Sequence, residues 1–126
     1  MTEKELEAAA SGFLDTAFNL GEPETAVSEH VSDKYVQHNP QVADGAEAFI
    51  GFVHSMRSQF PEMHLDIKRV ITQGQMVVTH SHMTLTPGEP GLAIADFFRF
   101  EGDKMVEHWD VIQNIPDASA NSNGMF

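Results

Sequence analysis

Hydrophobic residues recur at helical spacing through the first half of the chain and at every second position through the second half. Leu6, Ala9, Ala10, Phe13, Ala17 and Leu20 share one helical face, so residues 2–20 are predicted to form a helix. Thr2 followed by Glu5 is a capping-box pair, and Gly21 supplies the stop. Pro23 suits the first position of a second, short helix that turns Ala26, Val27, His30 and Val31 inward. Tyr35 to His38 reads as a short strand closed by Asn39-Pro40. A third helix follows Asp44, which with Glu47 forms another cap-like pair. Phe49, Phe52, Val53 and Met56 make its apolar stripe, and Phe60-Pro61 ends it. From residue 62 the period becomes two, over runs at about 62–72, 75–86, 92–101 and 104–114. Gln73-Gly74, Pro87 to Gly91 and Glu101-Gly102-Asp103 are the turns between them. Short turns between successive strands imply an antiparallel meander. Helices first and strands later imply an α+β domain with the helices on one face of a curved sheet. Residues 1–116 form that one domain, and residues 117–126, small and polar, form a mobile tail.

Strand parity then sorts the side chains. One face of 92–101 carries Leu92, Ile94, Asp96, Phe98 and Phe100. One face of 75–86 carries Met76, Val78, His80, His82 and Thr84, and one face of 104–114 carries Val106, His108, Asp110 and Ile112. Each face that bears a His or Asp also bears large apolar residues. These faces are expected to line one concave, largely apolar pocket holding a few polar groups. Phe97 and Trp109 fall on the opposite face. An apolar outer face calls for cover, and homodimerisation through it is the expectation.

Composition narrows the ligand. Seven Lys plus Arg against nineteen Asp plus Glu give a net charge of −12, which excludes nucleic acid and disfavours anionic membranes. A neutral, apolar small molecule or a protein partner fits better. No cysteine is present, so there is neither a disulfide framework nor thiolate chemistry. The first residues are acidic and lack the apolar core of a signal peptide. No apolar run approaches the roughly 20 residues of a membrane helix. The expected location is the cytoplasm.

The Tyr35-Val-Gln-His-Asn-Pro segment, Asp96-Phe-Phe-Arg-Phe and Glu107-His-Trp-Asp-Val, with the order of elements, resemble the SnoaL-like polyketide cyclases of the NTF2-like superfamily. The resemblance runs from roughly Leu6 to Ile115. It implies a cone: three N-terminal helices packed in a strongly curved antiparallel sheet around one pocket. It also implies that Asp96 is the catalytic acid/base and that His82, one strand earlier, assists. The related ketosteroid isomerases use a catalytic Asp just before a Pro after the first strand, and this chain has Asn39 there. They also use an oxyanion Tyr on the first helix, whereas the only tyrosine here is Tyr35. Both departures argue against steroid isomerisation. The fold hosts many chemistries, so the site has to carry the functional argument.

Asp96 between Ile94 and Phe98 is expected to be partly desolvated, which suits a carboxyl group to acid/base work near neutral pH. Its alternative is a structural pairing with a buried Arg or His. Around Asp96 and His82, the expected substrate-binding residues are His38, Asn39, Tyr35, His80, His108, Asp110 and Phe98. His80 and His82 at i and i+2 would also suit a metal completed by His38, His108 or Asp110. The expectation is nevertheless no metal and no cofactor. The reaction expected is an aldol-type cyclisation of a neutral carbonyl-bearing substrate, with a non-catalytic ligand-binding or dimerisation module as the alternative.

Overall fold

A computed structural model describes all 126 residues. Thr2 caps helix α1 (Glu3–Leu14). Its hydroxyl accepts the Glu5 N–H, while the Glu5 carboxylate accepts the Thr2 N–H. Such a reciprocal cap contributes about 1 kcal/mol to a helix start. The helix continues as one π-helical turn (Asp15–Asn19). A π turn takes more residues per revolution, so the apolar stripe loses its phase. Leu20, expected inward, is therefore 61% exposed. The turn also places Asn19 so that its side-chain amide pairs with both backbone groups of Leu65, at 2.9 and 2.8 Å. Arg57 donates to the carbonyl of Phe18 at 2.8 Å. Helix α2 (Pro23–His30) starts at Pro23 as expected, and strand β1 (Val31–Gln37) follows directly. Helix α3 (Ala46–Gln59) has no side-chain cap. Asp44, expected to cap it, instead accepts the N–H groups of Gln37 and Gly45, tying the end of β1 to the helix start.

The remaining strands are β2 (His64–Gln73), β3 (Met76–Thr84), β4 (Leu92–Glu101) and β5 (Lys104–Asn114). They form the expected antiparallel meander, and the sheet order is β1-β5-β4-β3-β2. β1 joins the far edge parallel to β5, a long-range pairing that short-turn signals do not reveal. Register shifts interrupt the β2–β3, β4–β5 and β1–β5 ladders. Bulges of this kind bend and twist a sheet, and here they help curl it over the helices. Gly91 opens β4 with φ +83°, and a Cβ there would lie 2.2 Å from the Met83 carbonyl oxygen. Only glycine fits where β4 turns back on β3.

The core lies between helices and concave face. Phe13 stacks on Phe49 with ring centroids 5.1 Å apart and meets Phe98 edge-on at 6.0 Å. On α1, Leu6, Ala9, Ala10, Phe13 and Leu14 are buried, as is Ala17 in the turn. No helix is long and apolar enough to cross a membrane. Residues 117–126 form no helix or strand, yet Phe126 stacks on His82 at 5.0 Å between ring centroids.

Candidate functional site

A pocket opens between α1 with its π turn, α3 and the concave face of the sheet. Fourteen of its nineteen lining residues are hydrophobic. The other five are Gln37, Asn39, Asp96, His108 and Asp110, and Tyr35 stands with them. They come from β1, from the loop just after it, and from β4 and β5. No Lys or Arg lines the cavity, so an anionic head group finds no counter-charge there. Its apolar end is built by Phe18, Phe49, Phe52 and Met56.

Asp96 reaches the cavity because β4 keeps strict parity. Leu92, Ile94, Asp96 and Phe98 all line it, and Phe98 and Asp96 are 0% and 6% exposed. Asp96 and Asp110 face each other across the β4–β5 ladder, as do Phe98 and His108. The Asp96 Oδ1 lies 2.7 Å from His108 Nε2. The His108 ring stacks on Phe98 at 5.1 Å, and its Nδ1 lies 2.7 Å from Gln37 Oε1. Gln37 Oε1 also accepts the Asn39 backbone N–H, while Gln37 Nε2 donates to the Tyr35 hydroxyl at 3.0 Å. Asn39 Nδ2 donates to Asp110 Oδ2 at 2.8 Å. One network thus joins Tyr35, Gln37, His108 and Asp96, with Asn39 and Asp110 beside it.

Burial sets the electrostatics. It pushes the Asp110 carboxyl above the ordinary carboxylate range. The Asn39 hydrogen bond and the nearby His108 oppose that rise, and the nearby Asp96 adds to it. Burial, and then the charges of Asp96 and Asp110, push the Tyr35 phenol well above its usual value, so it stays protonated and able to donate. Donor atoms of Asp96, His108 and Asp110 lie within 4.8 Å of one another, the reach needed for a metal ion. Two ligands of a tetrahedral ion, each at roughly 2.0–2.2 Å, stand more than about 3 Å apart. The 2.7 Å Asp96–His108 contact is a hydrogen-bond length instead.

Six of the nine expected site residues line this cavity: Tyr35, Asn39, Asp96, Phe98, His108 and Asp110. Three do not, and each is a correction. His82 lies on the outer face of β3, where its Nε2 donates to the Pro90 carbonyl at 2.7 Å. His80 shares that face and contacts Arg69. The inner face of β3 is Val77, Thr79, Ser81 and Met83, all buried. Both faces of this strand carry apolar residues, so parity alone left the choice open. α1 packs against this inner face, where the small Thr79 and Ser81 leave it room, although their buried hydroxyls find no hydrogen-bond partner. A metal site built on His80 and His82 is not assembled: His108 and Asp110 lie on the other side of the sheet, and His38 lies beside Trp109 at the end of β1, three strands from β3. His38 is the third correction. It stacks on Trp109 at 4.9 Å on the outer face and pairs with Glu107 at 2.7 Å. His38, and then Arg99, hold the Glu107 carboxyl below its usual range. Gln37 is the residue the sequence reading missed. Parity from inward-facing Tyr35 points to Gln37 rather than His38, and that was the available signal.

No protein of curated function matches the chain. Solved structures do. The TsrD protein of Streptomyces laurentii is 20% identical over 89% of this chain and 90% of its own, with a TM-score of 0.75. A candidate polyketide cyclase of Acidithiobacillus ferrooxidans is 22% identical over 86% and 87%, with a TM-score of 0.71. A candidate isomerase of the SnoaL-like family from Agrobacterium tumefaciens is 10% identical over 88% and 99%, with a TM-score of 0.74. Likeness at these identities establishes a shared NTF2-like fold. The SnoaL-like domain family itself matches residues 10–108, most of the chain and every polar cavity residue except Asp110. The chain belongs to the SnoaL-like domain family.

Proposed function

We propose that this protein is a small-molecule enzyme that runs acid/base chemistry of the aldol or cyclase type on a neutral, carbonyl-bearing, largely apolar substrate. The carrying observation is the Asp96–His108 pair, 2.7 Å apart at the polar end of an otherwise apolar cavity. A carbon acidified by two flanking carbonyls gives its proton to Asp96. The resulting carbanion adds to a further carbonyl elsewhere in the same molecule, and the new alkoxide takes the proton back. One positioned acid/base with neighbouring donors suffices for so acidic a carbon. Tyr35, which keeps its proton, is the donor for the developing oxyanion. His108 takes the assisting role that the resemblance had given to His82. Among the similar proteins are ones described as candidate cyclases and a candidate isomerase, which supports this class.

The same pairing supports a second reading. A buried Asp–His pair can serve as a fixed structural element of a ligand-binding module that catalyses nothing. The test is a panel of neutral 1,3-dicarbonyl compounds beside isosteric carboxylates, followed for binding and turnover. The enzyme reading expects binding and turnover of neutral members and rejection of the carboxylates. Binding without turnover selects the module, and preference for the carboxylates overturns the neutral-substrate assignment.

Homodimerisation belongs to the same proposal. Met76, Phe97 and Trp109 line a shallow depression on the outer sheet face, beside the His38 ring that stacks on Trp109. Sedimentation of the purified protein is expected to give a two-chain mass, and a one-chain mass at all concentrations would count against pairing.

A further inference from the structure

We infer that Gln37 is a positioning residue that fixes where the protons of the site reside: it holds a proton on His108 Nδ1 and leaves the Tyr35 hydroxyl free to donate into the cavity. The argument begins at a backbone group. The Asn39 N–H can only donate, and it points at the Gln37 side chain at 3.1 Å. The Gln37 atom there must therefore be the carbonyl oxygen, which settles the orientation of an amide whose two ends are otherwise alike. The same oxygen lies 2.7 Å from His108 Nδ1. An oxygen that can only accept faces that nitrogen, so Nδ1 carries a proton.

That assignment propagates in two directions. Toward Asp96, the Nε2–Oδ1 separation of 2.7 Å needs a proton between two atoms that would otherwise oppose lone pairs. With Nδ1 already protonated, the pair holds one further proton, as imidazolium with carboxylate or as imidazole with carboxylic acid. In either form the pair is neutral overall. It can take one proton from carbon, becoming cationic beside the carbanion it creates, and return it to the alkoxide. Toward Tyr35, the Gln37 amide N–H donates to the phenol oxygen. The phenol proton therefore points elsewhere, and Tyr35 lines the cavity. The other ionisable group close to His108 is Asp110, whose Oδ2 is 4.0 Å from Nε2 and is held by Asn39. Gln37 thus sets the proton direction at both polar walls. An apolar replacement lets neutral His108 move its proton to Nε2, where it donates to the Asp96 carboxylate and can no longer receive a proton from it.

The catalytic consequence rests on the acid/base reading above, whereas the proton positions do not. The experiment therefore has two readouts. The first is nitrogen-15 NMR of the histidine rings in wild type, Gln37→Leu and Gln37→Glu. Wild-type His108 is expected to show a protonated Nδ1 throughout the neutral range. Gln37→Leu is expected to shift the neutral ring toward the Nε2–H form. Gln37→Glu keeps an acceptor and is expected to restore the Nδ1 proton. A wild-type His108 with bare Nδ1, or a tautomer unchanged in Gln37→Leu, overturns the inference. The wild-type spectrum decides even if a variant does not fold. The second readout is turnover of a 1,3-dicarbonyl substrate. Gln37→Leu is expected to lower kcat about 10- to 100-fold, by analogy with the loss of the hydrogen-bond partner that orients a metal-bound histidine. In Gln37→Glu the tautomer is retained, but the phenol proton turns to the new carboxylate, so kcat recovers only in part. Full recovery overturns the Tyr35 half of the inference. A wild-type enzyme without turnover sinks the functional reading alone, because the NMR result still stands.

Discussion

Asp96→Asn is expected to lower turnover of a 1,3-dicarbonyl substrate by about 10²- to 10⁴-fold, the range supplied by a positioned general acid/base. At 1.36 kcal/mol per decade this is roughly 3–5 kcal/mol of lost transition-state stabilisation. The substitution is informative because it leaves the fold almost alone. The side chain is buried against His108, so a replacement that abandoned the hydrogen bond would leave a buried nitrogen unpaired. Asparagine has both a donor and an acceptor end. Its amide N–H can face a bare Nε2 and its carbonyl a protonated one, so the pairing survives. Only the capacity to take up a proton is lost. Thermal unfolding is therefore expected to stay within a few degrees of wild type while kcat falls. A variant that kept wild-type turnover would remove Asp96 from the mechanism. A fall in stability that accounted for the loss would assign Asp96 the structural role instead.

Phe98→Ala is expected to be the most damaging single change to the fold, at about 3–5 kcal/mol. Phe98 is wholly buried and sits between the two halves of the molecule. Its edge meets Phe13 of α1 at 6.0 Å, and its face carries the His108 ring at 5.1 Å. Truncation removes a wholly buried aromatic ring from β4 and leaves a cavity that neither a curved sheet nor a packed helix can close. Total stability for a domain of this size is about 5–15 kcal/mol, so the variant keeps only part of it. A drop of roughly 10–20 °C in Tm is the corresponding observation by calorimetry. Histidine orientation should suffer as well, because the platform under His108 is gone. A Tm within 3 °C of wild type would show that Phe98 is not the hinge between core and site.

Much of this was legible in the chain. The helix starts at Thr2 and Pro23 follow from local chemistry, and so do the hairpin turns at Gln73-Gly74 and Glu101-Gly102-Asp103. The β4 face was legible because Leu92, Ile94, Phe98 and Phe100 concentrate the large apolar side chains on one side of the strand. The pattern misleads wherever a period breaks or a second face competes. The π turn after Leu14 rotated Leu20 into solvent. Strict alternation from Trp109 would put Met105 on the outer face, yet it is wholly buried, because the register shift between Arg99 and Phe100 restarts the alternation. On β3 the histidines drew attention to the wrong face, since Met76 and Val78 lie with them and Val77 and Met83 lie opposite. On β1 the more reactive residue type, His38, was preferred to Gln37, although strand geometry favours the latter. The parallel docking of β1 beside β5 is what brings Gln37 to His108, and that contact spans 71 residues in sequence. No local pattern carries such a distance.

The central claim is that the Asp96–His108 pair moves protons to and from carbon. Hydrogen–deuterium exchange at the central carbon of a neutral 1,3-dicarbonyl ligand, followed by proton NMR in heavy water, reads that step without requiring ring closure. Wild-type protein is expected to accelerate exchange well above the buffer rate, and Asp96→Asn to return it toward that rate while still binding the ligand. Exchange that is equally fast with both proteins, or no faster than buffer when wild-type protein is saturated with ligand, would contradict the account.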